Sequence, residues 1–383
     1  MRVFILFFCI VLSGFGTSAA MVPSDWDTPA KGYPAEDPLK NPEEKFMPPL
    51  VSQDSLGICY AASASTILNF QQCKQMNVAD CKKVPESKRI SMLGITRYTR
   101  MTKNDENDSL DKNYKEIAEG GDGATVLRTA LYSVDRVPSE NCASLDRVLS
   151  KDFIKSKGDL TDAQRAVWEG LKADYQKYRE AVAKNCKDCA DKYYQAAVET
   201  VSKNLKIEED QLADPNLRND NLRVLNAFKK ESYEEALNEL LYPSKCSDIK
   251  NSIELAGKDS LEHNVYPQGE KPNQDQVLGK IVSILESRQP VLIEPICVAD
   301  CDKKPNKDKP EDGPKYHSVV IAGYRKICKK NNPTSCRFAL KVINSGGAAW
   351  QKANNDGWME AAPLLKNVKM DEAAVSWIGS TLK

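Results

Sequence analysis

The chain has 383 residues, with 54 basic side chains balanced by 54 acidic ones for a formal net charge of zero. That length permits one large domain or two ordinary ones with a sizeable core. The balanced charge gives no electrostatic reason to expect nucleic acid or an anionic membrane as a partner.

Arg2 is followed by an apolar run over residues 3–12 and by small residues ending Ser18-Ala19-Ala20. This is the pattern of a secretory signal peptide, residues 1–20, cleaved after Ala20. The run is too short to span a bilayer, and no later stretch is long and apolar enough to do so. Cys9 lies inside the apolar run rather than after a cleavage site, which speaks against a lipid anchor. The expected mature protein is exported (secreted, periplasmic or lumenal) and has no membrane span. Residues 21–49, rich in Pro, Asp, Glu and Lys with no apolar period, read as an extended N-terminal arm or short propeptide.

Residues 53–70 organise the rest. Gly57 stands two residues before Cys59, Tyr60 follows it, and a run of Ala, Ser and Leu then favours a helix. The thiol is thereby placed at a helix N-terminus, where unpaired N–H groups and the positive end of the helix dipole favour a thiolate. Gly57 lets a substrate come close to the backbone. Gln53, Gly57, Cys59 and Tyr60 resemble the opening signature of the papain-like cysteine proteases, and Cys59 is the candidate nucleophile.

With Cys9 in the leader and Cys59 set aside, ten cysteines remain: 73, 81, 142, 186, 189, 246, 297, 301, 328 and 336. In an oxidising compartment that even number permits five disulfides beside one thiol. Local partners suggest themselves for Cys73 with Cys81, Cys297 with Cys301, and Cys328 with Cys336. Cys186 and Cys189 also form a C-x-x-C pair. With no second pair at zinc spacing and only two His in the chain, neither a metal nor another cofactor is expected.

Residues 77–88 read as a polar loop, 90–98 as a short apolar segment and 104–113 as polar again, with a lone Asn-x-Ser sequon at Asn107. Gly120-Gly121 then offers bare backbone with which an extended peptide could pair. Residues 133–142 follow it and are similar to a cleft segment of the papain-like family, although that family's Tyr-Pro-Tyr is absent. From Lys151 the character changes. Thr161 to Gln164 is a capping box, and Val167, Leu171, Tyr175, Tyr178 and Val182 follow at helical spacing in a charged background. A second helical block over residues 221–241 carries the capping box Ser232 to Glu235. These stripes are packing faces, and residues 151–262 form a helical insertion.

Residues 276–285 are an amphipathic helix, 289–296 a β-run and 299–315 an exposed loop. Residues 316–324 form a strand opening on Tyr316 and His317. After a turn bracketed by Cys328 and Cys336, residues 337–343 return as a strand ending at Asn344. Two antiparallel strands thus deliver an imidazole and an amide at corresponding ends. A cysteine nucleophile needs such a base, a group to fix the ring nitrogen and donors for the oxyanion. His263, in the context Leu-Glu-His-Asn-Val-Tyr-Pro, reads as a loop or surface residue with no orienting partner.

The His317 and Asn344 segments resemble the second and third motifs of the papain-like family. Trp350 matches one of its tryptophans, and Gly357-Trp358 resembles its closing pair. The resemblance implies an α+β papain-like fold of two lobes: a helical lobe over residues 50–150 and an antiparallel β lobe over residues 263–383, with the insertion between them. It implies a cysteine endopeptidase in which His317 is the acid and base, Asn344 orients it, and Gln53 with the Cys59 N–H binds the oxyanion. Gly57, Gly120, Gly121, Tyr316 and Trp350 would contact a peptide or protein substrate. The insertion accounts for a Cys-to-His separation about one hundred residues beyond the family's usual one, and would control access or bind a protein partner or inhibitor. Gly346 stands where a shielding Trp is expected, so a solvated, weakened contact between Asn344 and His317 is anticipated. The alternatives are an amidase or transpeptidase on the same scaffold, and a weak or inactive protein that binds a partner.

Overall fold

The structure is a computed structural model describing residues 26–27, 42–53, 56–100, 117, 119–145, 160–204, 220–242, 246, 249–269, 271–303, 313–370 and 374–380. The leader, the sequon at Asn107 and the side chains of the capping box at Thr161 lie outside the described residues. Among the described residues no helix is long and apolar enough to cross a membrane.

The protein is α+β. Its strands and helices, in chain order, are β1 (Trp26–Asp27), α1 (Cys59–Gln75), α2 (Gly123–Tyr132), β2 (Val137–Pro138), α3 (Leu160–Ala183), α4 (Lys187–Asn204), α5 (Asp220–Phe228), α6 (Tyr233–Leu241), β3 (Ser252–Ile253), β4 (Leu261–Tyr266), α7 (Gln274–Glu286), β5 (Val291–Ala299), β6 (Lys315–Lys329), β7 (Asn332–Ile343), α8 (Gly347–Ala353), β8 (Trp358–Glu360), α9 (Ala361–Lys366) and β9 (Val375–Ser380). The main sheet is antiparallel, in the order β4-β9-β5-β6-β7-β8, with the short β1 pairing along β6. The β6–β7 hairpin is closed by the Cys328–Cys336 disulfide, as the turn between these cysteines predicts.

The sheet separates two cores because alternate strand residues point to opposite faces. Leu292 of β5 and Val320 of β6 join the core built on α1, α2 and helices α3 to α6. Val291, Ile293, Val319 and Ile321 join a second core with α7, α8 and α9. Helix α1 is buried on nearly every side. Its small residues Ala61, Ala62, Ser63, Ala64 and Ser65 let the sheet and α2 approach closely, which a one-sided amphipathic helix would not need.

Helices α3 to α6 lie between two points that meet: β2 pairs with β3, and Cys142 is bonded to Cys246 across a sequence separation of 104. A crosslink over that length restrains the unfolded chain by about 4–5 kcal/mol in the chain-entropy estimate. Cys186 and Cys189 form a disulfide, as do Cys73 with Cys81 and Cys297 with Cys301. Helices α3, α5 and α6 pack through Tyr175, Phe228 and Tyr233, with Tyr175 edge-on to Phe228 at 5.6 Å. Ser232 and Glu235 form the predicted capping box at the start of α6.

Candidate active site

Helix α1 opens on Cys59. Its cap residue, Ile58, supplies no side-chain hydrogen bond, so no capping side chain competes for the positive end of the helix. The approach is a tight turn: the Leu56 N–H donates to the Gln53 carbonyl at 3.2 Å, and the Ile58 N–H to the Leu56 carbonyl at 2.8 Å. The Gly57 carbonyl accepts the Gly120 N–H at 2.6 Å, which joins two of the expected substrate-contacting glycines. Gly121 packs against Tyr60, the residue after Cys59. A Cβ at Gly121 would lie 2.7 Å from the Tyr60 ring, so its missing side chain serves that contact.

One expectation for Cys59 is corrected. Its sulfur is in a disulfide rather than a thiol. The five described bridges join the other ten cysteines of the described residues. The cysteine arithmetic of the mature chain leaves out that additional bond.

His317 and Asn344 meet as the antiparallel strands require. The ring Nε2 and Asn344 Oδ1 are 2.6 Å apart, so Nε2 carries the proton that Asn344 accepts, and Nδ1 is the nitrogen left for a proton from another group. Beside them, the Gln53 N–H donates to the Ser345 carbonyl at 2.9 Å, and the Ser345 hydroxyl donates to Gln53 Oε1. Ser52 and Gly346 form a β-bridge. The turn before Cys59 is thus stitched to the residues around Asn344. The Gln53 amide donates to the Leu56 carbonyl at 2.7 Å, which commits one of its two N–H groups and leaves the second for another acceptor.

The anticipated solvation of the Asn344 contact is also corrected. Asn344 and His317 are each 5% exposed, Cys59 1% and Gln53 0%. A Cβ at Gly346 would lie 2.7 Å from the Trp350 Cβ, so Trp350 fills the space that a larger residue at 346 would need. Trp350 itself belongs to the sheet-side core, and Tyr316 is buried opposite Cys297 on β5. Burial lowers the His317 pKa, and the Asn344 contact acts in the opposite direction.

Glu294 is a site residue that the sequence pattern did not single out. Its Oε1 accepts the Ala124 N–H at 2.9 Å and its Oε2 accepts the Ser318 hydroxyl at 2.6 Å. Burial first, then the charge of Asp122, raise its pKa to about 8. A lone acid inside the apolar run of β5 was the available signal, since buried carboxyls are rare without partners.

His263 departs from its expected loop and lies on strand β4, paired with Ile378. Burial, with Arg128 nearby, lowers its pKa to about 4. Among the described residues no group of three or more His, Cys, Asp or Glu side chains is placed to hold a metal ion.

No protein-family model matches the chain, and no curated protein matches it. Among solved structures it is similar to a crystal structure of PepW from Lactobacillus rhamnosis HN001 (DR20), at 12% identity and a TM-score of 0.33, over 88% of this chain and 80% of that one.

Proposed function

We propose that the protein is a cysteine peptidase with a papain-like two-lobe arrangement. The carrying observation is the pair of polar links that join distant segments: His317 to Asn344, and Gln53 to Ser345. Cys59 stands six residues after Gln53, at the start of a helix that packs on β5 and β6.

In this reading His317 Nδ1 takes the Cys59 proton, and the resulting thiolate attacks the scissile carbonyl carbon. The second Gln53 N–H and the Cys59 backbone N–H receive the charge that develops on oxygen. The tetrahedral centre collapses with cleavage of the C–N bond as the imidazolium gives its proton to the departing amine. Water, deprotonated by His317, then hydrolyses the thioester and restores the thiol. Asn344 holds the ring so that Nδ1 faces the sulfur throughout.

The reading requires the Cys59 disulfide to be open. Exchange with a thiol reductant would open it, leaving the reductant oxidised and the Cys59 sulfur free for catalysis. The insertion stands beside the expected substrate strip: Lys172 of α3 pairs with Glu119 at 3.0 Å, one residue before Gly120. That position suits control of access or of partner choice.

The test is labelling of the processed chain with iodoacetamide or an epoxide at mildly acidic pH, before and after mild reduction. Cys59 is expected to react faster than a model thiol, with hydrolysis of an unfolded peptide following the same preparation. Reaction no faster than the model thiol in both preparations would refute the activated thiolate. The enclosure of Cys59 and its disulfide favour a second reading, a latent or partner-binding protein. Peptide capture without cleavage, unchanged in Cys59→Ala, would select it.

A further inference from the structure

Strands β5 and β6 pair from Val291 opposite Ile321 to Ile293 opposite Val319, and again from Ile296 opposite His317. The register shifts between Ile293 and Ile296, a bulge immediately before the His317 pair. Bulges re-aim side chains next to sites, and something must hold the strands together where the ladder lapses. Here it is the side chain of Glu294, whose Oε2 accepts the Ser318 hydroxyl at 2.6 Å.

The other end of the same carboxyl reaches α2. Oε1 accepts the Ala124 N–H, and the Gly123 N–H also donates to the carboxyl. A Cβ on Gly123 would sit 3.0 Å from Glu294 Oε2 and 3.1 Å from the Tyr60 carbonyl, so Gly123 makes room for the acid beside the residue that follows Cys59. One enclosed carboxyl therefore lies between the neighbours of both proposed reacting residues. The charged and titratable groups around it are few. Asp122 approaches from the cap of α2, where it accepts the Thr125 N–H at 2.6 Å, and His317 is adjacent to Ser318 on β6. Helix α1 contributes the uncharged Tyr60 carbonyl, and the turn before β9 contributes the Ala374 carbonyl, which accepts the Glu294 N–H at 3.1 Å.

We propose that Glu294 is a positioning residue of the peptidase site: it ties the first turn of α2 to Ser318, so fixing where β6 presents His317. The inference deepens the peptidase reading and rests on it for its effect on activity. Burial, with the charge of Asp122, raises the Glu294 pKa to about 8, so the acid is protonated at neutral pH. Above that pH the enclosed carboxylate draws in water, the ties to α2 and Ser318 loosen, and His317 loses its fixed position.

The experiment compares the processed chain with Glu294→Gln, Asp122→Asn and Glu294→Ala. Infrared spectroscopy reads the protonated carboxyl directly and needs no activity. The expected result is a buried carboxylic-acid band at pH 7 that titrates away near pH 8, is absent in Glu294→Gln, and titrates at lower pH in Asp122→Asn, whose amide keeps the helix cap. Absence of the band in the unmodified chain at pH 7 would overturn the protonated state of Glu294 on which the pH-dependent positioning depends. For activity, kcat is expected to fall through the same pH range, with that component lost in Glu294→Gln, shifted in Asp122→Asn, and a lower kcat at little-changed KM in Glu294→Ala. Superimposable pH profiles for the unmodified chain and Glu294→Gln would overturn the positioning role. The infrared titration without peptide hydrolysis in any form would leave the protonated Glu294 bridge standing and refute the peptidase reading instead.

Discussion

The chain's two histidines make a controlled comparison, because both stand on strands and both are held toward the neutral form by burial. On β6, His317 has Asn344 at 2.6 Å, and the next residue, Ser345, is tied to Gln53 in the turn before α1. On β4, the backbone N–H of His263 donates to the Tyr132 hydroxyl at 2.8 Å, and the charge of Arg128 acts on the ring. A buried imidazole alone is therefore no sign of chemistry. What distinguishes the first ring is an acceptor that fixes its tautomer and a neighbouring link to the turn that leads into Cys59. Arg128 makes the second ring a worse proton acceptor, the reverse of what a catalytic base needs.

The strongest way to break this comparison is substitution of each ring. His317→Ala is expected to lower kcat/KM on a peptide by on the order of 10³-fold, the usual scale of a lost general acid and base. It should also slow alkylation of Cys59, since the same proton transfer makes the thiolate. His263→Ala should leave both rates unchanged. Equal losses in the two variants would show that enclosure rather than partnership matters.

Gln53→Ala sharpens the distinction between the ring and the oxyanion donors. Loss of one such donor costs about 10²-fold in kcat, yet alkylation builds no oxyanion, so the rate of Cys59 labelling should persist. If Gln53→Ala abolished labelling as well, its links to Leu56 and Ser345 would be its main contribution.

Much of this was legible before any coordinates. The apolar β-run over residues 289–296, and the two strands joined by a turn between Cys328 and Cys336, were readable from the sequence, and the structure has them as β5, β6 and β7. The pairing of His317 with Asn344 followed from strand geometry, because a hairpin returns the chain to the level where it began. The rest depended on packing that linear patterns do not encode. The shielding of Asn344 comes from Trp350 closing on Gly346, a tertiary contact invisible in a motif where Gly346 looks like a loss. His263 looked like a loop residue because its strand is short and followed by proline, whereas its register with β9 is what makes it β. Glu294 was hidden by its own context, since an acid between Ile293 and Pro295 reads as a strand interruption until the amides of α2 are seen to meet it.

A smaller effect, in stability rather than rate, sharpens the contrast between the two rings. The His263 pKa falls from 6.5 to about 4 on folding. Between those values the unfolded chain binds the proton and the folded chain does not, so His263 contributes stability at neutral pH that is lost as the pH falls from 6.5 toward 4. A shift of that size corresponds to about 3 kcal/mol at most. The His317 shift has the same sign, while Glu294, with its pKa raised to about 8, contributes stability that is lost as pH rises from about 4.5 toward 8. The raw pH dependence of Tm is therefore a sum of opposing slopes, and only a difference isolates one group. His263→Phe against the unmodified chain should close a Tm gap of several degrees between pH 6.5 and 4.5. His317→Phe should also flatten the acid limb in the disulfide form, but less once Cys59 is a thiol, because a thiolate partner raises the imidazole pKa and removes the difference between folded and unfolded chains. That dependence on the redox state of Cys59 should be absent for His263. If it appeared in both rings or in neither, the two histidines would stand in equivalent relation to the sulfur, and the proposed division between them would fail.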